Sequence, residues 1–288
     1  FDALEIILVD DGSLDNSGNI CDKYAKNDRR IKVIHQSNHG VSFSRQIGVN
    51  ASKGEYVIHV DADDWVENNM IEELYNKAVT ENADVVFCDY FEETDSKTRY
   101  CVQCPEGNSQ QVLKQLLLLQ QLHGSCWNKL VKRVCYSAPN VHFPVGVNIY
   151  EDLYLVCQII YNNVKIAYLP KAFYHYVINP NGGSLSQRVS MKIVEEKRLF
   201  IKLMSEKRFT DEPEELFLFK KDILFNLFLL RMYPLMYQTY PEIHDLIRQK
   251  IQPHIFNPKG YVLNMAFNKH LVWAWCFWRL SMFLIAVK

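Results

Sequence analysis

The segment Glu55–Trp65, EYVIHVDADDW, places three carboxylates at the end of a β-branched, apolar run. Tyr56–Val60 has the composition of a buried strand, and Asp61, Asp63 and Asp64 follow it directly. Carboxylates this close together repel one another unless a cation, or a partner such as a ligand hydroxyl, compensates them. The segment therefore predicts a metal or ligand site at the end of a strand.

The part of the chain around this segment alternates strands with helices. The predicted elements are the strands Glu5–Val9, Ile31–His35, Tyr56–Val60 and Asp84–Cys88, and the helices Gly18–Asn27, Val41–Ala51 and Asn69–Thr80. Strand–helix alternation at this spacing indicates right-handed crossovers and a mostly parallel sheet. We therefore expect an α/β fold of the Rossmann-like kind, with helices flanking the sheet.

The second half of the chain changes character. A leucine-rich helix is predicted over Ser109–Leu122, short strands and loops follow to about Ser186, and the pattern is helical and aromatic from about Val189. We therefore expect an α/β domain over residues 1–188 and a helical C-terminal region over residues 189–288.

The last segment, residues 270–288, is nearly all apolar around one interior charge, Arg279. It falls a little short of the roughly 20 residues that span a bilayer. Its three tryptophans favour a helix that lies in a membrane interface. A helix docked on the protein's own surface, or a spanning helix cut short, remains an alternative.

Bulk composition excludes one class of partner and favours one compartment. With 32 basic and 33 acidic residues, the formal net charge of -1 gives no basis for nucleic-acid binding through bulk charge. The eight cysteines, several of them in apolar runs and with no recognisable signal peptide, favour reduced thiols in a cytoplasmic protein. Cys101 and Cys104 have CxxC spacing, but no second pair follows at zinc-ribbon spacing.

Both acidic clusters, Asp10–Asp11 and the DADD run, fall at the carboxyl ends of predicted strands, where open parallel sheets bind ligands. A receiver domain would explain the first cluster but not the second. In a phosphatase of the haloacid dehalogenase kind, the acidic motif opens the domain and Thr or Val follows it, whereas Trp65 follows here. Nucleotide-sugar binding fits better. A pyrophosphate needs a divalent cation to neutralise it and to stabilise the negative charge that develops on the leaving nucleotide diphosphate.

Five stretches in order along the chain resemble the family-two glycosyltransferases, the large inverting group with the GT-A fold. They are EIILVDDGSLDNS, NHGVSFSRQIGVNASKGEYVIHVDADDWV, CWNKLVKR, FPVGVNIYEDLYL and YHYVINPNGGSLS. The resemblance covers about two thirds of the chain, from Leu4 to Ser186, and leaves the helical tail outside.

The resemblance implies a nucleotide site built by the first two stretches. Asp10 and Asp11 would accept a hydrogen bond from the uracil N3–H. Arg45 would offer its fork of donors to the nucleotide. The pattern N-x-G-x-S-x-A-R-N-x-G maps onto Asn38, Gly40, Arg45 and Gly48, with small departures at Ser44 and Gln46.

The resemblance also implies the chemical roles of the acidic motifs. Asp61 would bind the ribose or the sugar, Asp63 would hold Mn²⁺ or Mg²⁺, and Asp64 would support the bound sugar. Asp152 would be the general base that an inverting transfer needs, with Glu151 orienting it. Two acids favoured by the dipole in the first turn of a helix are the plainer interpretation of Glu151 and Asp152.

The remaining implied site residues have plainer alternatives. Trp127, Asn128 and Lys129 would line the sugar or acceptor pocket, although a core tryptophan is nearly as compatible with the pattern. His175 would complete the metal shell, and Ser184 would lie in a segment over the pyrophosphate. A histidine in FYHYV is otherwise an ordinary strand residue.

The expected protein is an inverting, metal-dependent enzyme that moves a sugar from a UDP-sugar to a saccharide or lipid-linked acceptor. We expect it to act in cell-surface polysaccharide synthesis at the inner face of the plasma membrane. The family's first strand, which ends in a P-x-Y/F-N turn, has no counterpart after Phe1, so we expect a preceding segment. The alternative is a non-catalytic nucleotide-sugar-binding or scaffold subunit of a membrane-associated assembly.

Overall fold

The computed structural model describes residues 3–118, 122–178, 189–206, 209, 216–249 and 258–286. The strands are β1 (Ile6–Asp11), β2 (Ile31–Gln36), β3 (Tyr56–Val57), β4 (Trp65–Val66), β5 (Val85–Thr94), β6 (Lys97–Cys101), β7 (Lys129–Lys132) and β8 (Ile166–Val177). The helices are α1 (Ser17–Asn27), α2 (Val41–Ala51), α3 (Met70–Glu81), α4 (Ser109–Leu117), α5 (Glu151–Tyr161), α6 (Met191–Glu206), α7 (Phe217–Leu229), α8 (Tyr233–Gln238), α9 (His244–Gln249), α10 (Pro258–Phe267) and α11 (Leu271–Ala286).

The chain divides into two compact units. The first comprises Phe1–Gln187 and Lys202–Asp211, and the second comprises Arg188–Ile201 and Glu212–Lys288. The first unit contains all the described strands and α1 to α5, whereas the second is helical.

The first unit has a mixed α/β architecture, and the predicted alternation of strands and helices is present. β1 pairs with β2 in parallel, and β5 pairs with β8 in parallel. The larger sheet has the order β3-β7-β5-β8-β4, with β6 added to β5, and these other pairs are antiparallel. The expectation of a mostly parallel sheet is therefore corrected to a mixed sheet.

The strand predicted over Tyr56–Val60 pairs for two residues only, as β3. A cavity of about 610 Å³ lies beside it and is lined by β1 as well, with Ile7 and Val9 of β1 facing it. Among the described strands, β1 pairs only with β2 and β3 only with β7. Because β3 ends at Val57, residues 58–64 do not continue the strand and turn towards α2. This turn positions the acidic motif.

An aromatic layer lies between α3 and the larger sheet. Helix α3 buries Met70, Leu74 and Ala78, which lie one turn apart on the face that packs against the strands. Trp127 stacks on Tyr174, with ring centroids 4.3 Å apart, and both belong to this core.

Tyr174 also fixes the acidic turn that follows β3. Its hydroxyl donates to the Asp64 carboxylate at 2.6 Å and accepts from the backbone N–H of Asp61 at 3.0 Å. Since the Tyr174 side chain is fully buried, the turn is anchored to the core at both of its ends. The second carboxylate oxygen of Asp64 accepts from the Val177 N–H, which ties the same turn to β8.

The second unit is built around buried aromatic and aliphatic side chains of α7 and α10. In α11, Ala274 and Ser281 are buried, while Val272 and Trp273 are 75% and 69% exposed. Among the described residues, no helix combines the length and apolar character needed to cross a bilayer.

We expect Tyr174→Phe to destabilise the first unit by about 1–3 kcal/mol, because it leaves a backbone N–H and a partly buried carboxylate without their partner. Urea denaturation followed by tryptophan fluorescence measures the change. Tyr176→Phe is the matched control, since its hydroxyl has no partner among the described residues while its ring stacks on Trp127. Equal stability of the two variants would show that the Tyr174 hydroxyl does not anchor the turn.

Candidate active site

Arg45 joins the two acidic motifs that the sequence places more than eighty residues apart. Helix α2 carries the side chain, which is only 13% exposed. One guanidinium nitrogen lies 2.7 Å from the Asp61 carboxylate, and another lies 2.6 Å from the Glu151 carboxylate at the start of α5. The turn after β3 and the N-terminus of α5 therefore meet in one cleft, which a shared site for Asp63 and Asp152 requires.

The charges in this cleft depend on one another. Burial alone would lower the pKa of Arg45, but the charges of Asp61, Asp152 and Glu151 raise it above its ordinary value. Burial, followed by the charge of Asp152, raises the pKa of Glu151. The arrangement therefore concentrates negative charge around a single guanidinium, with Arg45 holding Glu151 in place.

Asp152 lies in the first turn of α5 and faces a different environment from Glu151. One of its carboxylate oxygens accepts the N–H of Leu153 at 2.8 Å, and the side chain lines a cavity of about 770 Å³. The described residues around this cavity come from β5, β6, the segments that follow β6 and precede β7, and the start of α5: Tyr90, Arg99, Tyr100, Cys101, Val102, Gln103, Leu122, His123, Gly124, Tyr150, Asp152 and Leu153.

The three aspartates of the DADD run have different partners. Asp61 pairs with Arg45, and Asp64 is held by Tyr174 and Val177. Burial raises the pKa of Asp64, although these hydrogen bonds oppose the shift. Asp63 is exposed and has no hydrogen-bond or ion-pair partner in the described part of the chain. Its carboxylate is therefore fully available to a ligand, whereas those of Asp61 and Asp64 are partly engaged by the protein.

Asp10 and Asp11, at the end of β1, organise the neighbouring loops. Asp11 accepts from the Gln36 side chain at 2.7 Å and from the N–H groups of His39 and Gly40 at 2.9 and 2.8 Å. Although burial raises the pKa of Asp11, these hydrogen bonds lower it overall. Hydrogen bonds from Ser13 and His35 lower the pKa of Asp10 to about 2.

The loop that Asp11 holds contains Asn38 and Gly40. Asn38 is exposed. Gly40 has a φ of 89°, and a Cβ there would lie 2.6 Å from Oδ1 of Asn148. Gly12, on the facing loop, has a φ of 73°, and a Cβ there would lie 2.9 Å from the backbone nitrogen of Asn38. Both positions therefore require glycine for the loops to approach this closely.

The structure places Trp127, Asn128 and Lys129 in the protein interior rather than at a pocket surface. Trp127 is 3% exposed, with Tyr174 and Tyr176 stacked on its ring. The Lys129 ammonium donates to the Asn128 side chain and to the carbonyls of His123 and Ser125. Burial lowers the pKa of Lys129 to about 8.

These three residues therefore support the cavity wall from behind. The expectation that Trp127, Asn128 and Lys129 line the sugar pocket is therefore corrected, because protein already covers their polar groups and ring faces.

Both ring nitrogens of His175 are engaged. Nδ1 lies 2.7 Å from Glu93 and Nε2 lies 3.3 Å from Glu67. The ring is sandwiched between Trp65 and Phe91. To bind a metal, His175 would have to lose one of these contacts. Ser184, which was expected to lie over the pyrophosphate, is outside the described residues.

The acidic turn offers few protein ligands for a divalent cation. In the part of the chain that the structure describes, no group of three or more His, Cys, Asp or Glu side chains is arranged to hold a metal. Mg²⁺, however, is commonly bound through one or two carboxylates and the phosphates of a substrate, without an all-protein cage. The unpartnered Asp63 beside Asp61 fits that mode of binding.

Two residues important for this geometry were not identified from the sequence. Tyr174 lies in a strand pattern that does not distinguish it from its neighbours, although its spacing from Tyr176 predicts that both side chains lie on one face of the strand. Tyr150 precedes the Glu-Asp pair and has a φ of 65°, which no sequence pattern predicts.

Residues 1–134 match the Glycosyl transferase family 2. The cholesterol galactosyltransferase of Borreliella burgdorferi is 34% identical over 200 residues, which are 65% of this chain and 55% of that protein. Glycosyltransferase GlyG of Streptococcus pneumoniae is 37% identical over 155 residues, or 50% of this chain and 51% of that protein. The chain thus spans about half the length of these curated relatives.

The fold is similar to that of a solved structure, S. aureus TarS residues 1–349 in complex with UDP-GlcNAc. The TM-score is 0.60 at 18% identity, and the likeness covers 96% of this chain and 82% of the other. This similarity confirms the predicted fold. Residues 1–134 therefore belong to glycosyl transferase family 2, and the chain has a GT-A fold.

Proposed function

We propose that the protein transfers a sugar from a UDP-sugar to a saccharide or lipid-linked acceptor, with inversion and with the help of a divalent cation. We place this activity in cell-surface polysaccharide synthesis. The observation that supports the proposal is the Arg45 bridge, which joins Asp61 of the DADD turn to Glu151, the neighbour of Asp152. The UDP-GlcNAc bound to TarS and the galactosyl transfer named for the Borreliella protein support a nucleotide-sugar donor.

The donor's base would bind at the loops that Asp10 and Asp11 organise. Asp10 and Asp11 would accept a hydrogen bond from the uracil N3–H. Asp11 already interacts within the protein with Gln36, His39, Gly40 and Ser44. Its main contribution is to fix the segment 36–40 in the conformation that receives the nucleotide.

The pyrophosphate would lie at the DADD turn. Asp63 is the residue that would hold Mn²⁺ or Mg²⁺, with Asp61 beside it facing the ribose or sugar. A bound divalent cation supplies positive charge that neutralises the diphosphate and its developing charge. Tyr174 and Val177 keep the turn in position by holding Asp64.

Asp152 would act as the general base. Its carboxylate takes the proton of the acceptor hydroxyl while the hydroxyl oxygen bonds to the anomeric carbon. The bond between that carbon and the phosphate oxygen breaks, and its electron pair leaves with UDP. Glu151, held by Arg45, keeps the start of α5 in register, so that Asp152 faces the acceptor cavity.

We expect Asp152→Asn to leave UDP affinity within about twofold and to reduce sugar transfer by roughly 10²–10⁴-fold, the usual contribution of a positioned base. UDP affinity is measured calorimetrically, and transfer is measured as acceptor-dependent UDP release. Unchanged transfer would rule out Asp152 as the base. UDP-sugar hydrolysis by the wild-type protein separates an enzyme from a nucleotide-sugar-binding scaffold, which would bind the donor without cleaving it.

We expect Asp63→Ala to weaken UDP binding at least about tenfold in the presence of Mn²⁺, because the carboxylate that would hold the cation is lost. In EDTA the variant and the wild type should bind UDP equally. The exposed Asp95, in the turn between β5 and β6, provides the control variant Asp95→Ala. Equal loss of affinity with and without Mn²⁺ would contradict the proposed role.

We further propose that segment 270–288 brings the protein to the inner face of the plasma membrane. Val272, Trp273 and Cys276 are exposed on α11. Lys269 and Arg279, which flank them, are also exposed. Apolar and aromatic side chains bordered by cations suit an interface with anionic lipid.

We expect Trp273→Ser to weaken binding to phosphatidylglycerol vesicles by about tenfold, since it removes a large exposed apolar side chain from the lipid contact. Co-sedimentation with vesicles measures the binding. Tyr24→Ser on α1 is the control, because Tyr24 is also an exposed aromatic residue, at 60%. Equal binding by wild type and Trp273→Ser would exclude this surface as the lipid contact.

A further inference from the structure

Tyr150 occupies a position where local conformational preferences favour another residue. It is the N-cap of α5, with φ of 65° and ψ of 17°, in the left-handed region. Glycine and asparagine adopt this conformation readily, whereas a bulky side chain is strained there. Elsewhere among the described residues, Asn82 and Asn163 meet a positive φ with asparagine, whereas Arg231, Tyr240 and Lys269 adopt it with longer side chains.

The position is also unfavourable for tyrosine as a cap. An N-cap asparagine, aspartate or serine accepts an N–H of the first helical turn, and α5 has no such side-chain hydrogen bond. Asparagine would therefore satisfy both the backbone conformation and the helix end. Tyr240 departs from the same two preferences at the start of a short 3-10 helix, so the surroundings of Tyr150 must show whether its side chain has another use.

The Tyr150 side chain lines the 770 Å³ cavity next to Asp152. Another tyrosine of this cavity, Tyr100, is 47% exposed, although its hydroxyl donates to the buried Asp89 at 2.6 Å. The Tyr100 ring also makes an edge contact with Phe91, with centroids 5.4 Å apart. The Tyr100 ring thus presents an aromatic surface that is fixed before any ligand arrives, which lowers the entropic cost of binding.

The charge of the cavity limits what it can bind. Arg99 is the one Arg or Lys among its described lining residues. Its guanidinium is already paired with Glu92, at 2.8 Å from Nε. Lys129, close behind the wall, has its ammonium bound to three oxygens of the protein. Asp152 adds a carboxylate, so a phosphate or carboxylate group here would meet no unpaired lysine or arginine of the described lining.

From these observations we propose that Tyr150 is a specificity-determining residue of the acceptor site. Its ring, with that of Tyr100, binds an uncharged pyranose and presents one hydroxyl to Asp152. The cavity rejects acceptors that carry a phosphate on that sugar. This inference rests on the proposed function, because it assigns the acceptor class to the same site.

The test uses the full protein, UDP-sugars with Mn²⁺, and the octyl glycosides of glucose, galactose and N-acetylglucosamine as acceptors. We expect at least one glycoside to accept sugar, and its 6-phosphate to be at least about tenfold poorer in kcat/KM. For Tyr150→Asn we expect an acceptor KM about tenfold higher, with kcat changed less. UDP affinity and donor hydrolysis should stay within about twofold, and the melting temperature should be equal or higher.

Tyr150→Phe is the matched variant that keeps the ring and removes the hydroxyl, and it should keep the wild-type acceptor KM. An unchanged KM in Tyr150→Asn, equal use of the phosphorylated glycoside, or failure of every neutral glycoside would overturn the inference. The proposed function fails separately, through absence of UDP binding and of donor hydrolysis in the wild-type protein. Donor hydrolysis with an unaltered acceptor KM would therefore refute the role of Tyr150 alone.

Discussion

The cleft depends on one guanidinium. Arg45 contacts Asp61 and Glu151 at the same time, although these two residues are far apart in the sequence of the first unit. Removing the Arg45 guanidinium would leave several carboxylates facing one another with little solvent to screen them. Removing one partner of a buried ion pair is strongly destabilising, because the other charge stays buried without compensation. The position of α2 therefore determines how close the DADD turn and the N-terminus of α5 can lie.

Part of this arrangement could be predicted from the sequence, because two acidic clusters follow apolar strands and an acidic pair opens α5. The partners of those acids could not. Arg45 was expected to face the nucleotide, whereas its contacts are the two carboxylates. A donor fork suits phosphate and carboxylate equally well, so spacing along the chain gives no basis for choosing between them.

Burial was the harder property to predict. Trp127 and Lys129 stand beside a motif, and their residue types suit a sugar pocket. Both are interior residues, since the short strand β7 begins at Lys129 and lies between β3 and β5. Periodicity shows which side chains share a face of a strand, but the face that is covered depends on helices and loops distant in sequence. The left-handed conformation of Tyr150 is a similar case, because nothing local to NIYEDL favours it.

The partners of the acids sort them into two groups. Asp11 and Asp64 have their oxygens engaged by neighbouring backbone and side-chain donors, so they maintain the shape of the loops on which a ligand would rest. Asp63 is exposed, and Asp152 is tied only to the N–H of its own helix, so these two carboxylates keep lone pairs for something outside the protein. The proposed function would therefore assign stability and chemistry to different members of the same acidic clusters. If these clusters served stability alone, there would be no physical reason to leave Asp63 without a partner among the described residues and Asp152 facing a cavity.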